Sequence, residues 1–348
     1  MLKIVLLLIK RSLCIISLLL LLSCGSQNKP AEIKLQGKTM GTQYHISIPL
    51  NTSNKAHNLN TKRLQVEIEK KLQTINQEMS TYIPSSVISQ FNNSQSQDWF
   101  PVSIALLKLI NTAQTISQNS QGAFDISVMP LVNLWGFGTT SKKDTFPQQS
   151  EIDVLKKHVG YQLLQTQQQP PAIRKQHPQL MIDLSAIAKG YAVDALAMLL
   201  VEKGLEHFLV EIGGEIRVRG KNKQSKLWRI AIEKPTSLDR SVQQGLKLDN
   251  IAIATSGDYR NYYEKDGKRY SHMINPKTGK PIKHKLASVT VLNKSSMIAD
   301  AQATALMVLG ENKGKAYAQQ HELEVYMIFR KNNAFSVWHN LKTTRIIK

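Results

Sequence analysis

The chain has 348 residues, with 45 Lys or Arg against 25 Asp or Glu, a net charge of +20, 42% hydrophobic residues and two cysteines. This composition is globular and supports one large domain or two modest ones, and the charge suits nucleic acid, anionic lipid or a phosphate-rich ligand. The Lys and Arg are scattered, with no dense basic block and no helix-turn-helix or RNA-binding signature, so nucleic acid is set aside.

In chain order, the first element is a targeting signal. Lys3, Lys10 and Arg11 flank an apolar run from Leu13 to Leu22, about half of the ~20 residues a membrane span needs, and residues 1–23 read as a secretory signal. Leu21-Leu22-Ser23-Cys24 resembles the lipobox of bacterial lipoproteins. The resemblance implies an exported chain anchored to a membrane through lipid on Cys24 and facing the periplasm. Gly25 resembles the residue of lipoproteins sent on to the outer membrane. An ordinary signal peptide or an uncleaved anchor is the alternative. Cys14 lies inside the signal, so the mature chain is expected to have no disulfide and no thiolate metal site. Residues 24–33 read as a tether, and 34–348 as one domain.

Gly37-Lys38-Thr39 has the ending of a phosphate-binding loop. That motif needs a glycine five residues before Gly37, where Glu32 stands, and a helix after it. Tyr44, Ile46 and Ile48 alternate as in a strand instead, and the loop reading fails. Leu64, Ile68, Leu72 and Ile75 predict a helix over Thr61 to Met79. A second helix follows Pro101 and stops in the Asn119 to Gly122 region. Thr139 to Ser150 and the glutamine-rich stretch after Leu164 read as surface loops, with a short helix or hairpin between them. "MIDLSAIAKGYAVDALAMLLVEKG" reads as a strand end feeding a helix, with Ser185 as N-cap and Gly204 as stop. Strands are then predicted in "HFLVEIGGEIRV", "LWRIAIE", "NIAIATSG" and "ASVTVLN", followed by a helix from Ser296 to Leu309 that ends at Gly310, a further helix and a closing hairpin. The mixture predicts an α+β fold with antiparallel sheets.

Several constellations carry possible chemistry, each beside a plainer explanation. Asp300 and Thr304 lie four apart, on one helix face, and both are hard oxygen ligands that suit Mg²⁺. Dipole compensation and a hydroxyl bond to the preceding turn explain the same pair. Asp183 and Lys189 flank a helix start, where unpaired N–H groups attract phosphate; a capping acid and a solvated lysine fit equally. "FDISVMPLVNLWGFG" gathers Phe124, Asp125, Trp135 and Phe137 among glycines, as a slot for a flat heterocycle or as an ordinary buried loop. His272, in the densest polar stretch, is a general base or a structural histidine. There is no H-E-x-x-H, C-x-x-C or G-x-G-x-x-G, which disfavours zinc hydrolases and dinucleotide-binding folds.

Taken in order, "KTMGTQYHISI", "EMSTYIPSSVISQFN", "GAFDISVMPLVNLWGFG", "IDLSAIAKGYAVD", "VEIGGEIRVRG", "IATSGDYRNYYEKDGKRYSHMINPKTGKP" and "SVTVLNKSSMIADAQATAL" resemble the ApbE family of FAD:protein FMN transferases over about residues 37 to 310. The resemblance implies an α+β fold related to the T-fold and Mg²⁺-dependent transfer of FMN from FAD to a Thr or Ser hydroxyl of an acceptor protein, releasing AMP. Implied acceptors are subunits of Na⁺-translocating NADH:quinone reductase or Rnf-type complexes. By the same resemblance Asp300, Thr304 and the backbone oxygen of Ala186 are metal ligands. Met40, Tyr82, Ala123, Phe124, Asp125, Asp183, Lys189 and Ile274 are FAD contacts, and His272, with Asp300, is catalytic. Ser85 and Val87 depart from the family pattern, in which acidic residues are common at both places. Two rival readings share these residues, an FAD pyrophosphatase yielding FMN and AMP, and a non-catalytic FAD-binding lipoprotein.

Overall fold

The computed structural model describes residues 32–50, 59–139, 146–236, 241–259, 261–265, 268–332 and 334–347. The signal, Cys24 and most of the tether lie outside the described residues. Eight strands form the main sheet: β1 (Glu32–Thr39), β2 (Thr42–Pro49), β3 (Phe208–Ile212), β4 (Glu215–Arg219), β5 (Ile251–Gly257), β6 (Leu286–Asn293), β7 (Glu324–Lys331) and β8 (Ala334–His339). Their order across the sheet is their order along the chain, and every neighbouring pair is antiparallel. Seven α-helices stand among the described residues: α1 (Thr61–Met79), α2 (Val87–Asn93), α3 (Ile104–Asn119), α4 (Met129–Leu134), α5 (Gln149–Lys156), α6 (Ala188–Glu202) and α7 (Ser296–Gln320). No helix among the described residues is long and apolar enough to cross a membrane.

The patterns explain the layers. In α1, Leu64, Ile68, Leu72 and Ile75 are all buried, and they join Ile46, Ile48 and Val210 of the sheet in the largest apolar cluster. Strands β5 to β7 are nearly continuous apolar runs because both of their faces are covered. Ala254, Val291 and Met327 face the α7 side, whereas the adjacent Ile253, Leu292 and Ile328 join Trp228 and Leu246 in a second cluster. The Trp228–Glu233 and Val242–Leu248 hairpin supplies that second cover. Helix α7 breaks at Gly310, as expected, and His284 Nε2 donates to the Met307 carbonyl oxygen at 2.7 Å, satisfying the carbonyl freed by the break.

Four details correct the sequence reading. The tether is shorter, since β1 begins at Glu32, and Gly37-Lys38-Thr39 is the end of that strand. Met40 and Gly41 form the two-residue turn to β2, with φ of 49° and 70°; both values are positive, as a hairpin of matching twist requires. The glutamine-rich stretch is a hairpin, not a loop, pairing Leu164–Gln167 with Ala172–Lys175; Leu164, Ala172, Ile173 and Lys175 are buried, which its polar composition concealed. The stretch before α6 is extended but joins no sheet, and α6 starts at Ala188 with Ile187, not Ser185, at the N-cap. Ser185 is held instead by Asp183, whose Oδ1 accepts from its N–H at 2.8 Å and its hydroxyl at 2.5 Å.

Ile187 has no side chain that can cap, and the missing acceptor comes from another helix. Asp300 Oδ2 of α7 accepts from Gly190 N of α6 at 3.0 Å. The favour is returned at the start of α7, where Asp194 of α6 accepts from Ser295 Oγ (2.6 Å), Ser296 N (3.0 Å) and Met297 N (3.1 Å) and pairs with Arg217 at 2.6 Å. The two helices therefore cap each other. Their backbones meet at Gly190, where a Cβ would lie 2.3 Å from the Ser296 carbonyl oxygen, so close packing explains this helical glycine. Asp194→Ala should lower unfolding stability by about 2–4 kcal/mol, through lost caps and an unpaired Arg217. Urea unfolding measures this, and a loss under about 0.5 kcal/mol, the ordinary surface value, would show that the shared capping contributes little.

Candidate active site

Of the residues given catalytic, metal or FAD-contact roles, all except Met40 line one cavity of about 620 Å³, within the roughly 300–1,000 Å³ of small-molecule sites; Trp135 does not line it. They arrive from the loop after α1, the segment before α4, the approach to α6 and its first turn, the 272–274 stretch and α7. Met40 packs on the largest apolar cluster instead. Gly41 has nothing within 4 Å of a notional Cβ, so its positive φ, and not a close passage of the chain, calls for glycine there. Ser85 and Val87 are not among the lining residues.

The charged heart of the cavity is Lys189 between two carboxylates. Its Nζ lies 3.6 Å from Glu215 Oε1 and 3.8 Å from Asp300 Oδ2 and donates to the Ser185 carbonyl oxygen at 3.3 Å. Burial favours loss of the Lys189 proton, but Asp300 and Glu215 outweigh it and hold the pKa well above the ordinary value. Burial raises the Asp300 carboxyl, against the pull of Lys189 and the Gly190 N–H. Glu215 is pushed up to about 8 by burial, opposed by Lys189. Thr304, one turn after Asp300, has its hydroxyl 3.2 Å from Ser256 Oγ, which also lines the cavity.

His272 Nδ1 lies 2.9 Å from the Asn261 carbonyl oxygen. A carbonyl only accepts, so Nδ1 carries the proton and neutral His272 keeps its lone pair on Nε2. Burial lowers its pKa, which favours that neutral form. The imidazole meets the Phe137 ring edge-on at 6.3 Å, and Phe137 stacks on Tyr263 at 5.3 Å. Tyr263 belongs to the Tyr262–Lys265 and Lys268–Ser271 hairpin, so the densest polar stretch of the sequence is a hairpin with His272 at its foot.

Asp125 is buried and organises its own loop. Its oxygens accept from Ser127 N (2.8 Å), Ser127 Oγ (2.6 Å) and Tyr161 N (2.8 Å), which uses three of about four acceptor directions. Burial nevertheless raises its pKa. Asp183 N donates to the Ile126 carbonyl oxygen at 2.7 Å, tying the approach to α6 to the same loop. Ala123, Phe124 and Ile274 are buried walls, and Tyr82 stands exposed at the rim, its hydroxyl pKa raised by partial burial and by the charge of Asp183.

Residues 40–329 match the family model described as "ApbE family". The chain belongs to the ApbE family. An ApbE relative from Vibrio cholerae serotype O1, named FAD:protein FMN transferase, is 45% identical over 320 residues, covering 92% of this chain and 93% of its own. One of the same name from Escherichia coli K12 is 40% identical over 331 residues, with 92% of each chain covered. Among solved structures, the flavin transferase ApbE from Vibrio cholerae superposes with a TM-score of 0.82 at 41% identity, over 90% of this chain and 98% of that one. The apo flavinyl transferase ApbE of Pseudomonas stutzeri gives 0.81 at 34% identity, over 90% and 96%.

The residues present fit the groups the ApbE family implies. A buried carboxylate, a hydroxyl and a backbone carbonyl, from Asp300, Thr304 and Ala186, are hard oxygen donors of the kind Mg²⁺ takes while keeping open positions. Among the described residues no three His, Cys, Asp or Glu side chains gather as a metal cluster, so such a site would draw on hydroxyl and backbone oxygens as well as a carboxylate. Apolar walls, a fixed ammonium and the α6 N-terminus suit a nucleotide with phosphates. Glu215 and Ser256 are lining residues that sequence reasoning did not place in the site. The Gly213-Gly214 turn before Glu215 was the available signal, but it reads first as a strand bend.

Proposed function

We propose that this cavity transfers FMN from FAD to a Thr or Ser hydroxyl of an acceptor protein and releases AMP. The observation that carries this reading is the convergence of Lys189, Asp300, Thr304 and His272 on one cavity from separate stretches of the chain. In the reaction, the acceptor hydroxyl oxygen bonds to the FMN-side phosphorus and the bond to the AMP oxygen breaks. The hydroxyl proton passes to Nε2 of His272, whose Nδ1–H is fixed by Asn261. Lys189 orients the pyrophosphate and offsets its charge. Asp300, Thr304 and the Ala186 oxygen would hold Mg²⁺, which would supply neutralisation of the charge that develops on the pyrophosphate. Phe137 packs edge-on against the base, with Tyr263 of the hairpin stacked on it.

The acceptors proposed are subunits of Na⁺-translocating NADH:quinone reductase or Rnf-type complexes. The proposed location is the periplasmic side of a bacterial membrane, through lipid on Cys24. Purified protein, FAD, Mg²⁺ and such an acceptor should give a covalent fluorescent band in a denaturing gel, and chelator added before FAD should prevent it. Absence of the band, beside a competent control enzyme, would refute the transfer. FMN and AMP released without labelled acceptor would favour the pyrophosphatase reading, and bound FAD without any turnover the carrier reading.

A further inference from the structure

Lys175 is a buried cation that this chemistry leaves unused. The residue is 1% exposed and ends the glutamine-rich hairpin. The ammonium donates to the carbonyl oxygens of Phe91 (2.9 Å), Ser94 (3.0 Å) and Leu180 (3.0 Å), with those of Pro178 and Asn92 at 3.4 and 3.5 Å, and lies 4.6 Å from the Phe91 ring centroid. Phe91, Asn92 and Ser94 are the end of α2, where helix carbonyls lack partners and a positive charge is favoured. Pro178 and Leu180 open the extended stretch that runs on to Asp183 and Ala186.

That stretch alternates like a strand, with Leu180, Ile182 and Leu184 fully buried and Asp183 and Ser185 lining the cavity. Among the described residues it is paired with no strand, so its backbone groups need other partners. Asn92 meets Ile182 with both side-chain atoms, Nδ2 donating to its carbonyl oxygen and Oδ1 accepting from its N–H, each at 2.8 Å. Lys175 meets Leu180 two residues earlier. Burial pulls the Lys175 ammonium down to about 8, a cost that methionine would avoid while leaving the carbonyls unpaired.

We propose that Lys175 is a positioning residue, whose ammonium, with Asn92, stands in for a neighbouring strand and fixes the cavity wall that carries Asp183 and Ala186. The inference rests on reading the cavity as the FAD site. FAD binding by fluorescence, steady-state kinetics and thermal unfolding are to be measured for the wild type, Lys175→Met, Asn92→Ala and the double variant. Lys175→Met should weaken FAD binding and raise KM at least ~10-fold, with a smaller change in kcat, well below its unfolding temperature, since small misplacements of a binding wall are costly. Asn92→Ala should act in the same direction, and the double variant should fall short of the product of the two effects, because both hold one segment. A folded Lys175→Met with FAD affinity and KM within twofold of wild type overturns the proposal. If Lys175→Met does not fold, Asn92→Ala decides by the same twofold criterion. Wild-type protein that fails to bind FAD would overturn the site reading instead.

Discussion

Asp300→Ala should abolish FMN transfer, lowering kcat by at least ~10³-fold, because it removes the single carboxylate proposed for the metal and the charge beside Lys189. The same substitution removes the acceptor that caps α6 at Gly190 N, so stability should fall with activity. Asp300→Asn separates the two effects. An amide oxygen still accepts from Gly190 N, but the residue has no charge and is a poor partner for a divalent cation. Its thermal midpoint should stay near wild type while turnover is lost. Turnover by Asp300→Ala at the wild-type rate would refute the assignment, and equal losses of stability in both variants would refute the proposed division of roles.

The second large effect belongs to His272. Its neutral form is the proposed base, and burial places its pKa below the ordinary 6.5, with Lys189 lowering it further and Asp258 and the Asn261 carbonyl acting in the opposite direction. The sign follows directly: protonation inactivates, so kcat/KM should rise with pH and level off, with the midpoint of the rise below 6.5. His272→Ala should lower kcat by about 10²- to 10⁴-fold and remove that acidic limb. A limb that persists unchanged in His272→Ala would assign it to another group and deny His272 the role of base.

The fold was legible where burial and periodicity agree. Helix α1, the Gly-Gly hairpin, strands β5 and β6 and the break at Gly310 follow from apolar spacing and glycine placement, and all appear in the structure. What was illegible depends on partners distant in sequence. Ser185 has the chemistry of an N-cap, yet α6 is capped by a carboxylate 110 residues away. The glutamine-rich stretch lacks apolar alternation, yet it is a hairpin whose lysine is buried among carbonyls. The site divides along the same line. Asp300 with Thr304, and Asp183 with Lys189, are visible as local spacings, but only the tertiary fold brings the pairs together around one cavity. Glu215 has no local signal beyond a turn, so its place beside Lys189 emerges from the sheet.

The mutual capping of α6 and α7 bears on the order in which the cavity can be completed as the chain folds. The strands up to β4 are joined to neighbours that precede them in the chain, so much of the scaffold can assemble early. The N-terminus of α6 gains its Asp300 acceptor only after residues 296–304 have emerged and docked. A chain without α7 therefore lacks both the acceptor at Gly190 N and the carboxylate beside Lys189. The charge balance around Lys189 is thus completed only when α7 docks against α6.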